Sequence, residues 1–403
     1  MLNAMEKMMR SKMIYADHAS TTNLSPNVIR AIIPYLTKYY GNPSSAHTVG
    51  RIANDAVEEA RTKIAECLQC YPSEVFFTSG ATESNNWAIW GSLLASNKKH
   101  LVVSSIEHPS VLNLCKHLAY CGYKASYVGA DENGVVKLQE IENSISDDTA
   151  LVAVMAVNNE TGVIQPIDEI SQIAHKRGVP FFCDAVQAIG RIPIHLNNQK
   201  IDYLSISGHK IHSTKGTGIL YVNRNSVIPP VIYGGGQENG LRSGTENVPG
   251  IVGISVALQD ILDIGYDNAT VQQMSEKILR CINSIPFSQI NGYSARRVPG
   301  LVNACFEFID GSDLVNRLNS LGICVSSSSA CGASSQSPSH VLLAMGIPEH
   351  IARGSLRISI NEYNTMEEVD YICKVLPDTV QSLRNFSPEY LRFCRRNGFF
   401  SQV

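Results

Sequence analysis

Residues 202–218 read DYLSISGHKIHSTKGTG. Tyr203, Leu204 and Ile206 make a short apolar strand that breaks off at Ser207-Gly208 and delivers His209 and Lys210 into a loop. Lys215 and a Gly-Thr-Gly at 216–218 follow at once. A lysine at the end of a buried strand loses hydration, which disfavours its charged form and lowers its pKa. The same desolvation makes it a usable amine nucleophile. A solvated lysine on a surface loop fits this stretch equally well; its neighbours in the chain separate the two.

Upstream, VPFFCDAVQAIG spans residues 179–190, with an apolar strand over Phe181–Cys183 and Asp184 where it ends. An acid and a lysine at the ends of successive strands fit an open α/β sheet, in which ligands bind beyond the carboxyl ends of the strands. A pyridoxal phosphate site needs both: a lysine for the Schiff base and an acid to hold the pyridinium proton. A lone Asp at a strand end serves equally as a helix cap; the pair says more than either member. The third part is FTSGATESNN, residues 77–86. A strand over Val75–Phe77 runs into Ser79-Gly80-Ala81-Thr82, which opens a helix. Free N–H groups and the helix dipole make such a start an anion site. No Gly-Lys-Ser/Thr follows, so it is not a P-loop; a plain capped helix start remains the alternative.

The chain has 403 residues, enough for two domains with real cores. An apolar content of 44% and a charged content of 17% are ordinary for a globular protein. A net charge of −3 gives no electrostatic case for nucleic acid or an anionic membrane. No apolar run reaches the length of a spanning helix. The start, MLNAMEKMMRSKM, lacks the apolar core of a signal peptide. Eleven scattered cysteines, an odd number, suit a reducing cytoplasm better than a disulfide framework. The single C-x-x-C, Cys67 and Cys70, ends an amphipathic helix, has no second pair, and reads as two small residues at a helix terminus; no metal is expected.

Helical periodicity over Thr48–Leu68 is followed by alternating strands and helices: strands at 74–78, 100–105, 124–128, 151–157, 180–183, 202–207 and 218–223, and helices at 81–95, 110–121 and 168–177. This predicts an α/β fold with a large, mostly parallel seven-stranded sheet. The glycine-rich YGGGQENGLRSGT of 233–245 leads into a helix over 247–264. After it come a helix near 270–283, strands 302–309, 323–327 and 355–360, and helices 312–320, 340–345 and 366–384. We expect a large domain over 26–264 and a smaller α+β domain from 1–25 and 265–403.

Four more stretches carry candidate chemistry. His108 follows strand 100–105 at the same sheet edge, where an imidazole could stack on a flat ring; it also fits a polar turn before Pro109. VNNETGV, residues 157–163, places Asn158 and Asn159 at another strand end, where Asn and Gly also favour a simple turn. VSSSSACGASSQSPSH, residues 325–340, sets Cys331 in a run of Ser, Ala and Gly that cannot pack a core. A cysteine there is accessible and open to reaction. Arg353 and Arg357 flank strand 355–360, and a guanidinium binds a carboxylate bidentately.

Together FTSGATES, the Glu-His of 107–108, VNNETGV, CDAVQ, SGHK, GGGQE…RSGTENVPG, SSSSAC and SLRIS resemble, in order, the cysteine desulfurases of the NifS/IscS type, within the class V aminotransferases and pyridoxal phosphate fold type I. The resemblance runs from about Tyr15 to about residue 380. It implies that Lys210 bonds the cofactor's aldehyde, Asp184 pairs with the pyridine nitrogen, Gln187 reaches the phenolic oxygen, and His108 stacks on the ring and assists proton transfer. It implies a phosphate held by Ala81, Thr82, Ser207 and His209, with Thr245 reaching the phosphate of a partner subunit in a homodimer. Asn159 and Arg357 would bind the substrate carboxylate, with Asn159 also near the cofactor, and Cys331 would take the sulfur of L-cysteine before a sulfur-acceptor protein, an iron–sulfur scaffold or a thiolation enzyme, receives it. His212-Ser213-Thr214 replaces the family's usual Tyr-Gly-Pro, His18 a usual Asn, and the tail RFCRRNGFFSQV of 392–403 has no counterpart in it. A selenocysteine lyase would share every cofactor residue. An acyl transferase using Cys331 would not need the Asp184/Lys210 pair, and a scaffold that had lost its chemistry would not need the intact Lys, Asp, His, Arg and Cys.

Overall fold

The computed structural model describes residues 13–266, 268–327 and 337–397. Its twelve strands in chain order are β1 (Ile14–Tyr15), β2 (Val75–Thr78), β3 (His100–Ser104), β4 (Lys124–Val128), β5 (Thr149–Ala153), β6 (Phe181–Asp184), β7 (Tyr203–Ser207), β8 (Gly218–Val222), β9 (Ser288–Ile290), β10 (Leu301–Phe306), β11 (Ile323–Cys324) and β12 (Ser355–Ser359).

Seven of them form one sheet in the order β2-β8-β7-β6-β5-β3-β4. Strands β3 to β7 run parallel, while β8 runs against both its neighbours, β7 and β2. The expected mostly parallel sheet is therefore present. Apart from the edge strand β4, its strands are buried on both faces, and alternate residues feed two separate apolar clusters. Val102, Val152, Phe181 and Leu204 pack on one side. Leu101, Val103, Leu151, Phe182 and Tyr203 pack on the other. That division is the period-two geometry of a strand, and it explains why the sequence reads as nearly continuous apolar runs.

A third cluster joins β1 to the later part of the chain. Ile14 and Ala16 pack with Met274, Ile278, Val302, Phe306, Leu356 and Ile358. Here β12, β10 and β9 form an antiparallel sheet. β1 pairs parallel with β11, and Asp17 bridges to Ser359. The N-terminal segment is thus carried from this second unit to the edge of the large sheet.

Several boundaries differ from the sequence reading. The strand expected at 151–157 ends at Ala153. Residues beyond it still donate along the ladder, Val154 to Phe182 O and Ala156 to Asp184 O, but the chain no longer runs as a regular strand. The strand expected at 302–309 stops at Phe306, and that at 323–327 at Cys324, after which Ser326 only bridges to Arg357. The tail adds an element that the sequence reading did not assign. Residues 388–396 form a helix capped by Ser387, with Pro388 in its first turn. Phe393 stacks on Phe287 and Phe308, and Cys394 is buried. Residues 398–403 lie outside the described residues.

Candidate active site

Five strand ends and the N-terminal segment line a cavity of about 630 Å³. Ala81 and Thr82 follow β2, His108 follows β3, Asn159 follows β5, Asp184 ends β6, Ser207 ends β7, and His209 and Lys210 come just after it. All of these line the cavity, as do Gln187 and Arg357. Thr245 is exposed and does not line it. Cys331 lies outside the described residues.

Lys210 sits in a single 3-10 turn, Gly208–Lys210. Its ammonium group donates to the carbonyl oxygens of Ala19 and Ser20, each at 2.7 Å. Gln187 Nε2 donates to the same Ala19 oxygen at 2.9 Å. Asp184 is buried, with Oδ2 accepting from Asn85 Nδ2 at 2.9 Å and Oδ1 from the Val186 amide at 3.0 Å. Asn85 also donates to Ser110 Oγ at 2.8 Å, and Ser110 in turn lies 2.8 Å from His108 Nδ1. Because Nδ1 accepts from the Ser110 amide at 3.1 Å, the imidazole proton belongs on Nε2. Burial holds His108 below the ordinary histidine pKa, with Lys210 and His340 adding to that effect and Asp184 opposing it. One hydrogen-bonded chain, Asp184–Asn85–Ser110–His108, therefore fixes an acid and a neutral imidazole relative to each other.

At the far end, Gly80 has φ 150° and ψ 174°, a conformation open essentially to glycine alone. A Cβ on Gly218 would meet Gly80 Cα at 2.6 Å, so β8 and this turn approach as only glycines allow. The helix Ala81–Ser96 starts there, and the N–H groups of Ala81 and Thr82 have no acceptor among the described residues. Ser207, His209, Lys215 and Gly216 line the cavity as well. His209 is pushed down to about 4 by burial and then by Lys210 and Lys215. Its ring therefore stays neutral at physiological pH.

Arg357 is 3% exposed. It donates to Asn159 O at 3.1 Å, Asp17 Oδ1 at 3.0 Å and Ser20 Oγ at 2.5 Å. Its Nε–H is buried with no acceptor among the described residues. The sequence reading placed Asn158 beside Asn159 as a candidate amide; the structure buries it as a turn-former, its Oδ1 taking the amides of Glu160 and Thr161. Cys67 and Cys70 pack against the large core, and no group of three metal-ligating side chains occurs among the described residues.

The roles of Asn85, Ser110, Ala19 and Ser20 were not anticipated from sequence. Asn85 lay inside the quoted FTSGATESNN, yet nothing local tells a helix-face asparagine that it faces a distant acid.

The aminotransferase class-V family model matches residues 14–372. The chain belongs to this family. It is 43% identical over 381 residues to the protein named cysteine desulfurase IscS of Methanosarcina thermophila, covering 94% of each chain. Among solved structures it is similar to a NifS-like protein (TM-score 0.87, 40% identity, 92% of this chain and 100% of that one). It is also similar to a structure titled SspA in complex with cysteine (TM-score 0.78, 37% identity, 87% and 100%). The cofactor of the family is pyridoxal 5′-phosphate. The residues present fit that group. A buried carboxylate, a lysine amine, a neutral imidazole and a helix start with two open amides meet in one cavity, matching the cofactor's ring nitrogen, aldehyde, ring face and phosphate.

Proposed function

We propose that this chain is a cysteine desulfurase that converts L-cysteine to L-alanine and leaves the sulfur as a persulfide on Cys331. The reading is carried by the convergence of Lys210, Asp184, His108 and Arg357 on one cavity, in a chain of the class-V family.

Lys210 would hold the cofactor's aldehyde carbon, Asp184 its ring nitrogen, Gln187 its phenolic oxygen and His108 its ring face. Ala81, Thr82, Ser207 and His209 would hold the phosphate. Bound there, pyridoxal phosphate supplies an electron sink for the carbon that loses its proton. Arg357, already oriented by Asp17 and the Asn159 carbonyl, would take the substrate carboxylate, with Asn159 beside it. The Lys210 amine would move the α-proton. His108, with its proton on Nε2, is placed to give or take a second one. Cys331 attacks the substrate sulfur as the thiolate. Its Sγ bonds that sulfur, the carbon–sulfur bond breaks, and protonation of the carbon fragment gives alanine.

The acceptor we propose is a protein, either an iron–sulfur scaffold or a thiolation enzyme, meeting the persulfide in the cytoplasm. Support for that compartment is the wealth of unpaired cysteines among the described residues. No single helix among the described residues is long and apolar enough to cross a membrane. We further propose a homodimer. Thr245 is exposed and apart from its own chain's cavity, consistent with a reach to a partner's phosphate. Ile29, Ile33, Leu36 and Tyr40 expose an apolar row that a second copy would cover. The division into 26–264 and 1–25 plus 265–403 is supported by the cluster of Ile14 and Ala16 with residues 271–380, while Val341, Leu342, Met345, Ile347 and Ala352 pack with the large core.

The test is an absorption spectrum of the purified protein before and after L-cysteine, with alanine and sulfide assayed in the same tube. A visible cofactor band that shifts on cysteine, with alanine formed, is expected. Cys331→Ser should keep the band and lose sulfide release. Undiminished sulfide from that variant would sink the role of Cys331, and a colourless protein that takes up no pyridoxal phosphate would sink that of Lys210.

A further inference from the structure

The described chain on either side of Cys331 is fastened to the walls of the cavity. Upstream, Ser326 and Arg357 exchange backbone hydrogen bonds at 3.2 and 2.7 Å, and Ser326 Oγ lies 3.5 Å from Ser20 Oγ. Downstream, Ser339 Oγ donates to Glu160 Oε2 at 2.5 Å, and His340 Nε2 donates to the Glu107 carbonyl at 2.9 Å. Each anchor adjoins a residue of the cavity. Glu107 precedes His108, Glu160 follows Asn159, and Arg357 lines the cavity itself.

Glu160 is the anchor with the fewest ties of its own: among the described residues, besides Ser339, only the charge of Arg357 acts on its carboxyl group. It is buried at 3% exposure, where an isolated carboxyl group costs stability unless it is hydrogen-bonded. Its turn does not need it. Asn158 Oδ1 already takes the Glu160 and Thr161 amides and the Thr161 hydroxyl, and Gly162 at φ 75° closes the turn. The side chain makes one hydrogen bond among the described residues, to Ser339. Ser339 answers with both of its capacities. Its proton goes to Glu160, while its oxygen accepts from the Leu342 amide at 3.2 Å and starts the helix His340–Ala344. Burial pushes the Glu160 carboxyl up to about 7, against the Ser339 hydrogen bond and the charge of Arg357. The bond to Ser339 ties the first residues after the cysteine-bearing stretch to the strand end that presents Asn159.

We infer that Glu160, acting through Ser339, is a positioning residue that fixes the downstream end of the Cys331 segment relative to the cavity. The inference rests on the reading of Cys331 as the sulfur acceptor. It predicts that breaking the bond slows the step that needs the thiol and leaves cofactor and substrate binding alone.

The experiment uses the full-length holoenzyme and four variants: Glu160→Leu, Glu160→Gln, Ser339→Ala and Cys331→Ala. Alanine formation gives kcat and KM. The rate of Cys331 alkylation by iodoacetamide, read by peptide mass without substrate, reports the thiol directly. Glu160→Leu and Ser339→Ala should each lower kcat about tenfold, as a misplaced reacting group does, with KM and the cofactor band within about twofold of the parent. Their Cys331 alkylation rates should change at least about threefold, and Glu160→Gln, which keeps an acceptor, should recover most of the loss. If Glu160→Leu does not fold, Ser339→Ala decides, since it removes the same bond with one oxygen atom. A Ser339→Ala enzyme with kcat and alkylation within twofold of an active, Cys331-dependent parent overturns this inference alone. A parent that forms no alanine, or a Cys331→Ala variant as fast as the parent, overturns the desulfurase reading and this inference with it.

Discussion

The ammonium group of Lys210 lies 2.7 Å from the carbonyl oxygen of Ser20, a contact that spans 190 residues of sequence. Ala19, which shares the lysine, is itself held by its amide to Ser359 Oγ at 2.9 Å. The N-terminal segment therefore parks the reactive amine in a fixed place. Lys210→Ala should lower alanine formation at least about 10³-fold, because one side chain is proposed to serve as both nucleophile and base. Its cost in folding should stay near 1–3 kcal/mol, the range for hydrogen bonds from a charged donor. Rate assays paired with urea denaturation separate the two effects, and a large loss of stability with modest loss of rate would refute the assignment.

Ser110 makes a second, subtler prediction. Its hydroxyl links Asn85 to His108 Nδ1, while its amide also donates to that nitrogen. Ser110→Ala removes the link and keeps the amide. Turnover should fall about tenfold with the cofactor band unchanged, well short of the 10²–10⁴-fold expected for His108→Ala. Equal losses in the two variants would mean that the hydroxyl, not the imidazole, carries the effect.

What the sequence discloses about this site follows a physical division. Lys210, Asp184, His108 and Asn159 could be read because each ends or closely follows an apolar strand, and parallel strands bring such ends to one edge. The Ala19 and Ser20 carbonyls could not, since a backbone oxygen has no side-chain signature and its partner is far along the chain. Asn85 and Ser110 bear polar side chains whose partners are set only by packing of the helix Ala81–Ser96 on its neighbours. The tail is a different case. Ser387-Pro388 is an ordinary helix start that the local sequence already offered, and the aromatic seat formed by Phe287 and Phe308 makes the helix worthwhile.

His18 gives a pH dependence with a definite sign. It is buried at 3% exposure, and burial, then His212 and Arg191, push its pKa down to about 4, against Glu362 and Asp17. Asn361 Nδ2 donates to its Nδ1 at 3.1 Å, and Tyr15 packs edge-on against the ring. A histidine depressed in the folded state binds its proton more readily when unfolded. Stability is therefore full above about pH 6.5 and falls as pH drops towards about 4, by up to about 1.4 kcal/mol per pH unit for one such group. His209 adds a similar contribution. His18→Asn should flatten the decline between about pH 6.5 and 5 by up to one proton's share, read from urea midpoints at several pH values. An unchanged slope would show that other groups carry it.

Two ion pairs fasten the glycine-rich stretch 233–245, Arg242 with Glu83 and the more deeply buried Arg61 with Glu238. Glu238 accepts from Arg61 Nη2 at 2.7 Å, from Arg61 Nη1 at 2.9 Å and from the Phe77 amide at 2.9 Å. The guanidinium also lies over the Phe77 ring, 4.7 Å from its centroid. Phe77 belongs to β2, whose end leads into the Gly80 turn, so the Arg61–Glu238 pair couples that stretch to the end of the cavity proposed to hold the phosphate. Removing one partner strands a buried charge, which costs about 3–5 kcal/mol. Glu238→Gln keeps the side-chain shape at a residue whose φ is 50°, and avoids confusing charge loss with backbone strain. It should lower stability by about 3 kcal/mol and weaken cofactor retention on dialysis. Arg61→Met with Glu238→Gln should cost less than the two single changes summed, because no charge is then left unpaired. Strict additivity in that cycle would mean the two side chains stabilise the protein independently, and that the glycine-rich stretch is held by something else.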